Sequence, residues 1–139
     1  VRMKADAEEK KTARRRRIAE EAAKQCGRGI VPRVNPTVGF DEMLAAVEAA
    51  DIPLFCYEGT GTVSLRTCLQ NALAVCRRNH PGEVPDVAVV VGSEGGFSEN
   101  EVSKVKETGI APVGLGKRIL RTETASSVVL SCLVYETEL

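Results

Sequence analysis

The sequence predicts an α/β fold built on a parallel sheet. Segments typical of strands and of helices alternate along the chain, and right-handed crossovers convert this order into parallel strands. Residues 87–91 are continuously apolar, as in a strand that is buried on both faces. Two loops marked by glycine, residues 92–96 and 115–121, each lie between a predicted strand and a predicted helix. With 139 residues, 43% of them hydrophobic, the chain is expected to form one domain over residues 1–139.

The N-terminal section predicts a long, basic, amphipathic helix. Residues 5–26 contain neither proline nor glycine, small apolar residues recur at helical spacing, and Gly27 supplies a stop. Residues 30–34 are short and rich in β-branched side chains, which predicts a strand, and residues 40–50 carry one apolar helical stripe.

The remaining segments continue the alternation. Strands are predicted at residues 53–57, 87–91 and 111–115, and helices at residues 65–79, 98–108 and from residue 122 to the C-terminus. A Gly-Thr-rich loop is expected at residues 58–64. Ser98 followed by Glu101 is a capping-box pattern, and Gly109 closes that helix.

The formal net charge of zero conceals a division along the chain. Residues 1–33 hold eleven Lys or Arg against five Asp or Glu, and residues 34–139 hold eight against fourteen, so the two sections carry +6 and −6. The basic section is suited to a phosphate backbone. Charge alone equally allows that Arg14 to Arg17 are simply a solvated helix face.

Cysteine and histidine usage argues against a disulfide framework or a metal site. The five cysteines are odd in number and form no C-x-x-C pair, and His80 lies in a predicted turn beside Pro81. The longest apolar run is far below the roughly 18 residues that span a membrane, and no signal-peptide pattern begins the sequence. We expect a soluble, cytoplasmic protein with reduced thiols and no metal.

The position of the two glycine-marked loops, after predicted strands, predicts a ligand site. Ligands of parallel α/β sheets bind beyond the carboxyl ends of the strands. Gly92, Gly95 and Gly96 permit close backbone approach, so successive amides can form a concavity lined by donors. The loops lack the spacings of a dinucleotide fold, a P-loop or a nucleophile elbow. From the residues alone, a ligand site and a pair of tight turns remain equally acceptable.

Three ordered motifs carry a resemblance to a known family. Residues 89–98 resemble a strand followed by a G-P-E-G-G-F-S loop, residues 115–125 an L-G-x-R-I-L-R-x-E-T-A signature, and residues 20–28 with Val31 and Pro32 an E-A-x-x-Q-x-G-R…P element. In these motifs the chain resembles the SPOUT-class methyltransferases, specifically the bacterial family that methylates N3 of a uridine in small-subunit ribosomal RNA.

The resemblance implies a fold and a cofactor. It implies a C-terminal trefoil knot, in which the chain after Leu115 threads beneath the earlier loop, a homodimer with the site near its interface, and the small ribosomal subunit as partner. The implied cofactor is S-adenosylmethionine, bent between the two loops. The residues implied to hold it are Gly92, Glu94, Gly95 and Gly96 on one side, and Leu115, Gly116, Ile119 and Leu120 on the adenine side.

The sequence departs from the family pattern in two places. Ser93 replaces the usual proline, which adds an amide to the first loop. Residues 1–3 resemble the end of a segment that follows a small RNA-binding β-domain and the first strand and helix of the catalytic domain. The resemblance therefore implies that this chain lacks those parts.

The resemblance also suggests roles for charged residues near the second loop. Arg121 is the leading candidate for stabilising a developing uracil anion, because a guanidinium is always charged and presents a planar fork of donors. Glu123 either accepts a proton or lies in the first helical turn, where the helix dipole favours a carboxylate, and Thr122 or Thr124 is expected to cap that helix. Gln25 and Arg28 are candidates to face RNA or a partner subunit. A non-catalytic RNA-binding homologue, and an enzyme acting on another nucleoside, remain alternatives.

Overall fold

The structure is a computed structural model that describes residues 2–138, with side chains described from residue 6 onward. Val1, which belongs to the segment compared with the family's, and Leu139, at the end of the predicted final helix, lie outside the described residues. The chain divides into two compact units, Val1–Gly39 and Phe40–Leu139.

The first unit is built on one long helix, α1 (Arg2–Gln25), as predicted. Gly27 ends it with a left-handed φ of 70°, and the Arg28 amide donates to the Ala23 carbonyl at 2.9 Å, so the last turn is capped by the backbone. The predicted strand at residues 30–34 is wrong. No strand in residues 2–138 pairs with this segment, and instead the Arg16 guanidinium donates to the Val34 carbonyl at 3.1 Å.

Residues 40–138 of the second unit contain four parallel strands. β1 (Ile52–Phe55) pairs with β3 (Val87–Val90), and the two-residue β2 (Val63–Ser64) pairs with β4 (Val113–Gly114). A parallel bridge between Cys56 and Val113 joins the two pairs, giving the order β3, β1, β4, β2 across the unit. The prediction of an α/β fold with parallel strands is confirmed, although β2 was not predicted.

Helices cover both faces of these strands. They are α2 (Phe40–Glu48), α3 (Leu65–Asn79), α4 (Glu99–Glu107) and α5 (Thr122–Thr137). Ile52 and Leu54 of β1 pack in one apolar cluster with residues of α3 and α5, whereas Phe55 packs in a second cluster with residues of α2 and α4. This alternation is the two-residue period of a strand with a hydrophobic layer on each side. No helix within residues 2–138 is both long and apolar enough to cross a membrane.

Two local predictions about these elements have different outcomes. The capping box of α4 is confirmed, because the Ser98 hydroxyl accepts from the Glu101 amide at 3.2 Å and the Glu101 carboxylate accepts from the Ser98 amide at 2.8 Å. The complete burial expected for residues 87–91 is wrong, since all of these residues are only half-buried. Within the described part of the chain, β3 has a partner strand on one edge alone.

We predict that Val105→Ala lowers the free energy of unfolding by about 2 kcal/mol. Val105 is 0% exposed in α4, so removing its methyl groups leaves a cavity in the second cluster. Val75→Ala is the matched control, because Val75 also lies within a helix but is 48% exposed, and its loss is expected to be less than about 0.5 kcal/mol. Urea unfolding of both variants measures this difference, and equal losses would contradict the assignment of the core.

Candidate functional site

A cavity of about 430 Å³ opens in the second unit, where β1, β3 and β4 end. Three chain segments that follow these strands form most of its wall. Its lining comprises Cys56, Tyr57, Glu58, Gly59, Thr62, Val91, Gly92, Ser93, Gly95, Gly96, Phe97, Gly114, Leu115, Gly116, Lys117, Arg118, Ile119, Leu120, Thr122 and Ala125. The cavity therefore lies beyond the carboxyl ends of parallel strands, which is where a ligand site is expected.

The first loop is a tight turn that also lines the cavity. The Gly96 amide donates to the Ser93 carbonyl at 2.9 Å, and Gly96 has a left-handed φ of 67°. A Cβ atom on Gly92 would lie 3.0 Å from the Phe97 ring and 3.3 Å from the Gly96 Cα. The Phe97 ring has little room to yield, because it packs on Phe55 with 4.3 Å between centroids. A side chain at position 92 would therefore push against this ring, and glycine lets the turn close beside it.

The second loop connects β4 to α5 without regular secondary structure. Gly116 turns the chain with φ of 106°, a conformation that side chains disfavour. Ile119 lines the cavity and is 81% exposed, so its apolar side chain is available to a ligand. The two loops are tied together where α5 begins, because the Thr122 hydroxyl donates to the Gly92 carbonyl at 2.9 Å.

A third segment of the wall was missed by the sequence analysis. Tyr57, Glu58 and Gly59 follow β1, and Thr62 precedes β2. A Cβ on Gly59 would collide with the Tyr57 ring, so this glycine allows the ring to fold over the backbone. The signal was available, since this loop also follows a strand of the parallel sheet. Its position after β1 is therefore the signal that predicts a place in the cavity wall.

The predicted cofactor residues are brought together with one exception. Gly92, Gly95 and Gly96 line the cavity from the first loop, and Leu115, Gly116, Ile119 and Leu120 line it from the second. Glu94 is exposed at the tip of the first loop and lies outside the lining, between two residues that belong to it.

The predicted catalytic pair lies at the start of α5. Arg121 is the N-cap residue, its carbonyl accepts from the Ala125 amide at 2.8 Å, and its side chain makes no capping bond. Arg121 and Glu123 are exposed and do not line the cavity, although Leu120 and Thr122 on either side of Arg121 do. The expectation that a threonine caps α5 is wrong, because the Thr122 hydroxyl is directed to the Gly92 carbonyl.

The two candidates for RNA contact belong to the first unit. Gln25 is the last residue of α1, and Arg28 follows the glycine that ends this helix. Both side chains are exposed, so each is accessible to a partner.

The charge of the cavity wall is carried at its edges. Glu58, Lys117 and Arg118 are exposed, whereas Cys56 is buried. Burial, with a smaller contribution from neighbouring Cys68, raises the pKa of the Cys56 thiol to about 11. This thiol therefore stays protonated at neutral pH, and the cavity floor at this position is uncharged. The arrangement suits a polar ligand held largely by backbone groups, with an apolar part against Leu115, Ile119 and Leu120.

The chain is similar in sequence to a family of RNA methyltransferases. The model of the RNA methyltransferase domain family matches residues 1–134. Ribosomal RNA small subunit methyltransferase E from Bacillus subtilis is 36% identical over 133 residues, which cover 94% of this chain and 49% of that protein. The protein of the same name from Aquifex aeolicus is 32% identical over 90% of this chain and 48% of its own length. The chain thus spans about half the length of these relatives.

Solved structures share the same α/β fold with parallel strands. A putative methyltransferase from Legionella pneumophila, in complex with the cofactor SAM, superposes with a TM-score of 0.72 at 31% identity and covers 95% of this chain and 49% of its own. A ribosomal RNA small subunit methyltransferase E from Neisseria gonorrhoeae, bound to S-adenosyl methionine, gives a TM-score of 0.70 at 27% identity. It covers 94% of this chain and 49% of its own.

We predict that Thr122→Val lowers the free energy of unfolding by about 1 kcal/mol. The substitution keeps the shape of the side chain but removes the hydroxyl that joins the two loops, leaving the Gly92 carbonyl without this donor. Thr122→Ser retains the hydroxyl and serves as the control. Urea unfolding curves of the three proteins test whether this hydrogen bond stabilises the fold. The prediction is wrong if Thr122→Val is as stable as the unsubstituted chain.

Proposed function

This chain belongs to the RNA methyltransferase domain family, and we propose that it binds S-adenosylmethionine in the cavity and methylates N3 of a uridine in small-subunit ribosomal RNA. The observation that carries the proposal is the cavity itself, whose wall combines both glycine-marked loops. Its volume of about 430 Å³ is within the usual range for small-molecule sites. The two related methyltransferases described above were solved with this cofactor bound.

The residues of the cavity fit such a cofactor. Gly92 has no side chain to fill the space before Phe97, which leaves backbone groups of the first loop accessible to a polar ligand. Leu115, Ile119 and Leu120 offer an apolar wall suited to an adenine ring. We assign the polar side of the site to Gly92, Gly95 and Gly96, with Glu94 beside it at the tip of the same loop, and the adenine side to Leu115, Gly116, Ile119 and Leu120.

The proposed reaction requires orientation and charge stabilisation from the protein. S-adenosylmethionine supplies the methyl group as a sulfonium. The uracil must lose its N3 proton, and the resulting negative charge spreads onto the flanking carbonyl oxygens. Arg121, at the start of α5 and without a capping bond, is free to direct its guanidinium at those oxygens. Glu123 is the proposed acceptor of the N3 proton and lies in the first turn of the same helix.

The proposal includes the assembly and partners that the family implies. We propose that the chain after Leu115 forms a trefoil knot, and the contact of Thr122 with the Gly92 carbonyl supports a close association of the two loops. We also propose a homodimer, which would cover apolar side chains of α5 that are exposed in the single chain, including Leu130 and Tyr135. The ribosomal RNA of the small subunit, contacted in part by Gln25 and Arg28 in the cytoplasm, completes the proposal.

We predict that Arg121→Ala retains affinity for S-adenosylmethionine within about twofold but reduces methyl transfer by about 100-fold, the cost of removing one donor to a developing anion. Titration calorimetry measures the first quantity, and incorporation of labelled methyl groups into small-subunit ribosomal RNA measures the second. Arg78→Ala is the matched control, because Arg78 is exposed in the last turn of α3. Lost cofactor affinity in Arg121→Ala would move this arginine to the cofactor side of the site.

Deletion of the gene that encodes the full-length protein is predicted to abolish one N3-methyluridine in small-subunit ribosomal RNA. Nucleoside mass spectrometry of ribosomal RNA from these cells measures the modification directly. Its persistence would refute the substrate, and loss of a different methylated nucleoside would favour an enzyme of the same fold with another target. An unchanged set of nucleosides would favour a non-catalytic RNA-binding homologue.

A further inference from the structure

One face of α1 carries a stripe of cations, Lys10, Arg14 and Arg17, which we name the basic stripe. Their spacings of four and three residues place them on the same side of the helix, one turn apart. At a rise of 1.5 Å per residue, the stripe extends for about 10 Å along the helix axis. Glu21 continues the same face and marks the C-terminal limit of the stripe.

The basic stripe is exposed, and its cations form no ion pair with the described side chains. Other cations of the same helix are paired, since Lys11 contacts Glu8 at 2.8 Å and Lys24 contacts Glu20 at 2.9 Å. The charge of the stripe is therefore available to an anion.

The opposite side of α1 is engaged within the first unit. Arg16 donates to the Val34 carbonyl at 3.1 Å, and the Thr37 hydroxyl donates to the Glu8 carboxylate at 3.0 Å. Thr12, between these two contacts around the helix, is buried. The helix is thus held by one side and presents the basic stripe on the other.

We propose that the basic stripe binds the phosphate backbone of RNA and positions the substrate without reading its sequence. Three cations spaced by about 5.4 Å along a rigid helix can follow successive phosphates of a strand. The remainder of the chain favours this location, because residues 34–139 carry a net charge of −6, from which a polyanion gains no attraction. The identity of the polyanion as RNA rests on the function proposed above.

An anionic membrane is a poorer match for the same surface. A helix that lies on a membrane needs a broad apolar face beside its cations. Among residues 6–25, Ile18 is the one large hydrophobic side chain that is exposed. A single side chain gives too little apolar area for insertion, so the stripe is suited to phosphates in water.

The test compares the salt dependence of RNA binding in three variants of the full chain. Binding of a short fluorescent single-stranded RNA is measured by anisotropy between about 50 and 200 mM salt. In Arg14→Gln/Arg17→Gln, the slope of log K against log salt is expected to fall by about 1.4, which corresponds to two lost phosphate contacts on a single strand. Arg77→Gln/Arg78→Gln removes the same charge from the end of α3 and is expected to leave the slope unchanged.

Two further measurements separate this proposal from its alternatives. Arg14→Lys/Arg17→Lys keeps the charge and is expected to keep the slope, and calorimetry is expected to give the same affinity for S-adenosylmethionine in every variant. The proposal is overturned if Arg14→Gln/Arg17→Gln retains the slope of the unsubstituted chain, or if Arg77→Gln/Arg78→Gln lowers the slope by as much. It is also overturned if the chain binds phosphatidylserine vesicles and not the RNA. Failure of cofactor binding in the unsubstituted chain would instead refute the proposed function.

Discussion

The backbone of Val113 is the constraint on which the second unit depends. It bridges Cys56 on one side and pairs with Val63 on the other, and its carbonyl accepts from the Tyr57 amide at 2.9 Å. The Val113 side chain is fully buried, so these groups have to be satisfied by other strands and not by water. Because every strand is parallel, this junction aligns the carboxyl ends of β1, β3 and β4 at one edge. The three segments of the cavity wall begin from that edge.

A wall made from such segments presents backbone groups more than reactive side chains. The conformations of the first and second loops are set by glycines with positive φ, Gly96 and Gly116, and by the Thr122 hydroxyl at the Gly92 carbonyl. The one buried titratable group of the wall, Cys56, is kept neutral by burial. This design is suited to chemistry in which the cofactor carries the reactive group, and the protein supplies binding and orientation.

Most helices and strands are predictable from patterns within their own residues. The features that these patterns do not predict depend on contacts between residues that are distant in sequence. The limits of α3 follow from Ser64 at its N-cap and from its own apolar stripe, and the Ser98 capping box fixes the start of α4. By contrast, β2 is two residues long and exists because the Val63 amide donates to the Pro112 carbonyl, a contact that its own residues do not encode. Residues 30–34 show the converse. Their β-branched side chains favour a strand, but no strand in residues 2–138 pairs with this segment. The glycine loops were predictable as a site because the ends of parallel strands share one edge.

The opposite charges of the two sections of the chain fit the two functions that we propose, which are cofactor binding and RNA binding. The cavity lies in the acidic section, residues 34–139, whose net charge of −6 favours the approach of a sulfonium cation, while the wall itself carries Glu58, Lys117 and Arg118. RNA is a polyanion and gains no attraction from this net charge, so the cations of α1 supply the attraction. Since salt screens charges beyond about 8 Å at physiological ionic strength, the basic stripe on α1 acts on phosphates that approach it closely. The net charge of zero is then the sum of +6 in residues 1–33 and −6 in residues 34–139. It is not evidence against binding of nucleic acid.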